Sequence, residues 1–260
     1  MRIKMIVTDL DDTFLRDDKT ISERTIAAFR KCREKGIKTV YATGRGDSSV
    51  MLAPSALFDG FVRMNGATAH AGDKLIYDRL IPISEIRGLL TAADRAGLKI
   101  AAESDGRHYA NFHVTDVWPY MEDYEIADFK SLDIETEKVY VLAESPEAID
   151  LMERYLHGGL RLCVSRDGLA MVMHSEAMKS KAVAALAAYW DIDIAEVAAF
   201  GDDTNDIDLL RECGIGVAVA NAVDAAKEAA DHICDTNEND GVAKWLETHV
   251  CGSETAGTRG

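Results

Sequence analysis

Three carboxylates, Asp9, Asp11 and Asp12, crowd into the stretch Val7-Thr8-Asp9-Leu10-Asp11-Asp12-Thr13-Phe14-Leu15. Such groups can relay protons or hold a cation, yet side by side they repel and raise one another's pKa. Asp is also an ordinary turn residue. A D-x-D-x-T match alone arises by chance in about one chain in six at this content of Asp and Thr. Two distant segments carry further polar groups of the right kind. Thr43-Gly44-Arg45 offers a hydroxyl, a small residue and a cation, and Gly201-Asp202-Asp203-Thr204-Asn205-Asp206 offers more carboxylates and an amide. The G-D-x-x-N-D pattern is the rarer signal, expected by chance in about one chain in a few hundred.

Each of these segments follows an apolar run. Ile3 to Thr8 reads as a strand, Ser22 to Lys35 as an amphipathic helix and Ile37 to Ala42 as a second strand, which makes a β-α-β unit and implies a parallel sheet. The last third resumes the alternation: a helix from Lys179 to Trp190, a strand Val197 to Phe200, a helix after Thr204 and a strand Ile215 to Val219. A helix near Ala222 to Ala230, a strand His232 to Cys234 and a helix Val242 to His249 follow. In open α/β sheets ligands bind beyond the carboxyl ends of the strands, where all three polar segments fall. The middle of the chain is richer in strand. A hairpin over 67–81, strands within 137–143 and 160–174, and helices Ser84 to Ala96 and Pro146 to Leu156 predict an inserted α+β module. The expected division is a core of 1–80 and 175–250, a module of 81–174, and a loose tail of 251–260.

The chain has 260 residues, 47% of them hydrophobic, enough for a large core without staples. Its five cysteines are odd in number and lack a C-x-x-C pair, which argues for reduced thiols in the cytoplasm. No signal-like segment opens the chain, and no run approaches the roughly 18 apolar residues of a membrane span. A net charge of −16 opposes binding to nucleic acid, because phosphate backbones are met by clustered Lys and Arg. A small phosphorylated partner stays open, since a metal ion and a few cations reverse the local field. Nothing speaks to oligomeric state.

The ordered set "DLDDT", "ATGR", the lysine of "KSKAVAAL" and "GDDTND" resembles the four motifs of the haloacid dehalogenase-like (HAD) phosphohydrolases. The insertion between the second and third motifs, with "MNGAT" at Met64 to Thr68, resembles the Cof-type subfamily with a type IIB (C2B) cap. The resemblance implies a Rossmann-like parallel-sheet core, an inserted α+β cap, and Mg²⁺-dependent hydrolysis of small phosphate monoesters such as sugar phosphates or phosphorylated cofactors. Asp12 stands where the family often has glycine, and Lys179-Ser180-Lys181-Ala182-Val183 departs from its K-G-x-A-L.

On this reading Asp9 is the nucleophile and forms an aspartyl-phosphate, while Asp11 is general acid and then base, protonated when substrate arrives. Lys179, or else Lys181, neutralises the phosphate and holds Asp9 ionised. Thr43, Gly44, Arg45, Lys179 and Asn205 are the phosphate contacts. Asp9, the Asp11 carbonyl and Asp202 hold Mg²⁺, a hard cation suited to oxygen ligands, and Asn205 and Asp206 support that shell. Thr43 could instead merely cap a following helix, and Arg45 could be a surface ion pair. Asp12, Asp203 and Asp208 read as turn or surface residues. His70, His108, His113 and His174 show no metal-ligand spacing, and Asn65 with Gly66 reads first as a turn. Cap residues Glu103 to Tyr109 and Arg161 to Asp167 are candidates to select the substrate by closing over the strand ends. Two other functions fit the same motifs: a phosphosugar mutase or phosphotransferase that passes the phosphoryl group to a sugar hydroxyl, and a non-catalytic phosphometabolite-binding protein.

Overall fold

Met5–Thr8 is buried at every position and lies between two parallel neighbours, Val197–Gly201 and Lys38–Ala42. Its side chains divide by the two-residue period of a strand. Ile6 joins an apolar cluster with Phe29, Phe200 and Trp245 on one face. Met5 and Val7 join Val40, Val183, Leu186 and Val197 on the other. Burial on both faces is what a parallel sheet covered by helices demands, and it explains why this run is apolar without a break up to Thr8.

The computed structural model describes residues 2–142, 145–164 and 168–252. Its larger sheet has eight strands in the order His232–Ile233, Ile215–Ala218, Val197–Gly201, Met5–Thr8, Lys38–Ala42, Gly60–Arg63, Thr68–Ala71 and Lys74–Asp78. The first six are parallel, and Thr68–Ala71 runs antiparallel to Gly60–Arg63. The register sets Thr8 beside both Phe200 and Tyr41, so the next residues of all three strands leave the sheet at one edge. Helix Glu23–Glu34 starts at Ser22, whose side chain accepts from the Thr25 amide. Helix Lys179–Tyr189 buries Lys179, Ala182, Val183, Leu186 and Ala187, the i, i+3, i+4, i+7 stripe of a helix laid on a sheet.

The second unit holds a six-stranded sheet in the order Leu160–Val164, Leu169–His174, Lys138–Leu142, Ile100–Ser104, Arg107–Ala110 and Tyr124–Ile126. Helices Ile83–Arg95 and Pro146–Glu153 contribute Ile86, Leu89, Leu90 and Met152 to a cluster with Ile100, Val139, Val141 and Val172. The hairpin Ile100–Ser104 to Arg107–Ala110 is absent from the sequence expectation. Its turn, Asp105-Gly106, has φ of 50° and 77°, the left-handed pair a tight hairpin requires. The Asp-Gly signal was there to be read, but the flanking residues alternate weakly.

One unit runs to Tyr77 and resumes at Lys179, and the other is Asp78–Met178, wider at both ends than 81–174. Arg79 pairs with Glu176 at 3.4 Å, and Arg161 donates to the Ala177 carbonyl at 3.0 Å, which ties both flanks to the second unit. The start of the tail also needs correction. Cys251 is buried with its sulfur 3.6 Å from that of Cys32, so the core extends through it. Residues 253–260 lie outside the described residues, as do Ser165 to Asp167 of the second cap candidate.

Candidate active site

The acidic loop after the first strand is anchored by its apolar residues. Leu10, Phe14 and Leu15 are buried, and the Leu15 amide closes the loop on the Leu10 carbonyl at 2.8 Å. Phe14 packs edge-on against Phe29 and Phe58, with ring centroids 4.9 and 5.4 Å away. Asp12 takes φ 57°, its carbonyl held by the Asn221 amide at 2.7 Å. The repelling carboxylates thus diverge: Asp9 points into a buried cluster and Asp11 lies part-exposed.

Asp9 is 6% exposed and its amide donates to the Phe200 carbonyl at 2.9 Å. The Lys179 ammonium, 2% exposed, lies 2.6 Å from Asp9 Oδ1 and 2.7 Å from Asp206 Oδ1. Asp206 Oδ2 accepts from the backbone amides of Asp202 and Asp203 at 3.0 and 3.2 Å, which folds the loop over the strand end. That fold needs Gly201, since a Cβ there would stand 2.5 Å from the Asp206 Cβ. Thr13, the threonine of the D-x-D-x-T match, donates to Asp202 Oδ1 at 3.0 Å and joins the two acidic loops.

Carboxylate oxygens of Asp9, Asp202 and Asp206 come within 4.8 Å of one another. With Lys179 as the cation among them, three ionised carboxylates would leave a buried charge of −2, which costs heavily unless compensated. Burial pushes Asp9 well above the usual carboxylate range, with Asp206 and Asp202 adding to it against the pull of Lys179. Burial, then Asp206, pushes Asp202 up to about 7. Burial disfavours the Lys179 charge, but Asp206 and Asp9 outweigh it and hold its pKa above normal. Hard oxygens and a deficit of two positive charges fit a divalent cation of the Mg²⁺ kind. Because Asp202 and the likewise raised Asp9 must be ionised to bind it, affinity for such a cation is expected to fall at least about tenfold per pH unit below 7. The metal-free fold should lose stability as pH rises from about 4 to 7, since the raised group ionises late in the folded state, and Mg²⁺ should restore it. Thermal unfolding with and without Mg²⁺ across that range reads both effects.

Asp11 departs from expectation. Burial would raise its pKa, but Arg45 and Lys19 override that and hold it low. Arg45 grips both oxygens, at 2.6 and 2.8 Å, and Lys19 lies 3.0 Å away. The acid expected to be protonated is therefore ionised here, and Arg45, expected on phosphate, is spent on it. The Thr43 surroundings also differ. The following helix begins only at Ser49, so Thr43 does not cap it and Gly44 does not sit at its N-terminus. The Thr43 hydroxyl instead accepts from the Arg45 amide at 3.1 Å, which leaves its own proton to donate.

Of the two lysines, Lys181 is exposed on its helix, leaving Lys179 at the cluster. Asn205 donates to Asn65 Oδ1 at 2.8 Å. Asp203 caps its own turn through the Thr204 amide. The histidines are structural: His70 stacks on Phe61, His113 bonds the Tyr124 hydroxyl, and His174 accepts from the Glu176 amide. In the cap sheet Glu103 pairs with Lys138 at 3.0 Å, and Tyr140 meets His108 at 3.0 Å, so these buried groups satisfy one another.

A mostly parallel α/β core with carboxylates and a buried lysine beyond the carboxyl ends of its strands, and an inserted α+β unit, is the arrangement of an α/β enzyme with its site at the strand ends. The haloacid dehalogenase-like hydrolase family matches residues 6–246, and the chain belongs to it. A phosphatase for 5-amino-6-(5-phospho-D-ribitylamino)uracil, YcsE of Bacillus subtilis, is 30% identical over 95% of this chain and 96% of its own. A phosphoglycolate phosphatase of Methanopyrus kandleri is 28% identical over 93% of this chain and 95% of its own. The solved HAD phosphatase BT1666 of Bacteroides thetaiotaomicron has a TM-score of 0.83 at 26% identity, covering 95% of this chain and 94% of that one. The subclass IIB sugar phosphatase BT4131, at 23% identity, shares the fold with a TM-score of 0.81 over 94% and 98%. The chain is thus an enzyme of the phosphatase class.

Proposed function

We propose that the chain hydrolyses small phosphate monoesters through an aspartyl-phosphate on Asp9, with Mg²⁺ held by Asp9, Asp202 and the Asp11 carbonyl. The observation that carries this reading is the buried Asp9–Lys179–Asp206 array beside Asp202. When bound, the metal supplies positive charge that lets a phosphate dianion approach the carboxylates. Lys179 engages Asp9 Oδ1 and, together with the charge a bound metal would add, keeps that carboxylate ionised, so that Oδ2 attacks phosphorus in line with the leaving oxygen. Asp206, already accepting three hydrogen bonds, orients Lys179 and the Asp202 loop. Thr43 and the Gly44 amide donate to the phosphate oxygens.

Asp11 gives a proton to the leaving group and then takes one from the water that attacks the aspartyl-phosphate. An arriving phosphate dianion competes for Arg45, and loosening that grip lets Asp11 take up its proton. Substrates of the class named for the relatives, phosphorylated polyols and small acids, are the first to test. The site of action is the cytoplasm, a reading supported by the five free cysteines. Among the described residues no helix is long and apolar enough to cross a membrane.

Phosphate release from a panel of such monoesters, with Mg²⁺ and with chelator, tests the proposal. Release that requires Mg²⁺ is expected. No release across the panel, or release indifferent to chelation, would overturn it, and an isomerised hexose phosphate without free phosphate would point to a mutase.

A further inference from the structure

Met64, Asn65 and Gly66 pass in succession through positive φ, at 50°, 53° and 100°. Glycine is at ease there and asparagine tolerates it, but methionine is strained, and two such non-glycine residues in a row persist only where their surroundings enforce them. The enforcing contacts lead to the phosphate-side loop. The Met64 amide donates to the Arg45 carbonyl at 3.1 Å and the Asn65 amide to the Thr43 carbonyl at 3.0 Å, which brackets Gly44. The Asn65 side chain, 2% exposed, then faces two ways. Its Oδ1 accepts from Asn205 Nδ2 at 2.8 Å, and a Cβ on Gly44 would stand only 3.0 Å from that same oxygen.

We infer that Asn65 is a positioning residue, which holds the Thr43–Arg45 loop at a fixed distance from the Asp202–Asp206 loop through its contacts with Gly44 and Asn205. This rests on the proposed phosphatase reading and adds to it a third loop, from outside the four motifs. With Nδ2 committed to Asn65, the orientation of the Asn205 amide is set on the residue directly before Asp206. The close approach at Gly44 sets how near the phosphate donors stand to Asn205. The strained backbone is the means by which one side chain reaches both loops.

Asn65→Gly separates the amide from the backbone, because glycine accepts φ 53° without strain. Kinetics, Mg²⁺ dependence and thermal unfolding are measured on wild type, Asn65→Gly, Asn205→Ala and the double variant. The expected result for Asn65→Gly is a fall in kcat of about tenfold or more, a higher Mg²⁺ concentration for half-maximal rate, and a smaller rise in Tm on adding Mg²⁺. The metal-free Tm should equal or exceed that of wild type, which loss of a merely structural contact would not produce. The double variant should be no slower than Asn205→Ala, since both act through one bridge. Asn65→Gly with wild-type kcat and Mg²⁺ response, or losses that multiply in the double variant, would overturn the inference. A wild type that turns over beside an unaffected Asn65→Gly removes this inference alone, whereas a wild type without Mg²⁺-dependent turnover removes the phosphatase reading and this inference with it.

Discussion

Asp9→Asn is expected to release phosphate at least about 10³-fold more slowly than wild type while keeping or gaining thermal stability. The two effects separate because Asp9 does two things. Its carboxylate is the attacking group, and an amide in its place has no comparable nucleophile to offer. In the folded state, however, burial, with Asp206 and Asp202 adding to it, pushes the pKa of the same carboxylate well up against the pull of Lys179. Removing that charge relieves repulsion with Asp202 and Asp206, and Lys179 still keeps Asp206 at 2.7 Å. Phosphate release and the unfolding midpoint, taken on one preparation, check both halves. Loss of activity together with a large fall in Tm would instead mark Asp9 as a structural ion-pair member.

Lys179→Met is expected to do the reverse to stability. It removes the cation among three buried carboxylates, and breaking a buried pair in this way typically costs about 3–5 kcal/mol. Turnover should fall by about 10²–10³ as well, the scale of losing one fixed positive or hydrogen-bonding group aimed at transition-state charge. Two controls separate this from simple loss of packing. Mg²⁺ should return part of the lost stability, and so should Asp206→Asn in the same chain, because each lowers the uncompensated negative charge. Urea unfolding of the single and double variants, with and without Mg²⁺, gives these differences.

Much of this arrangement was legible in the sequence. Strand runs such as Met5–Thr8 and Val197–Gly201 show as unbroken apolar segments because the sheet is covered on both faces. The polar segments after them fall at one edge because parallel strands put all their carboxyl ends there. What stayed hidden depends on tertiary contact. That Thr13 reaches Asp202 across 189 residues, or that Arg45 and Lys19 both close on Asp11, has no local signature. The protonated Asp11 expected from burial and a like-charged neighbour failed for that reason: two cations that only the folded loops bring onto it, the nearby Lys19 and the distant Arg45, reversed the sign. Asn65 read as a turn residue, which it is, and its second role shows only once Gly44 and Asn205 are beside it.

The nucleophilic role of Asp9 is tested most directly by trapping the phosphorylated enzyme. In Asp11→Asn an aryl phosphate, whose leaving group needs little protonation, should still load Asp9, but the base that activates water is gone and the aspartyl-phosphate should accumulate. Reduction of that mixture with borohydride, followed by peptide mass analysis, should convert residue 9 to homoserine in proportion to the burst of phenol released. A phenol burst with aspartate intact at position 9, or with the reduced residue elsewhere, would contradict the assignment.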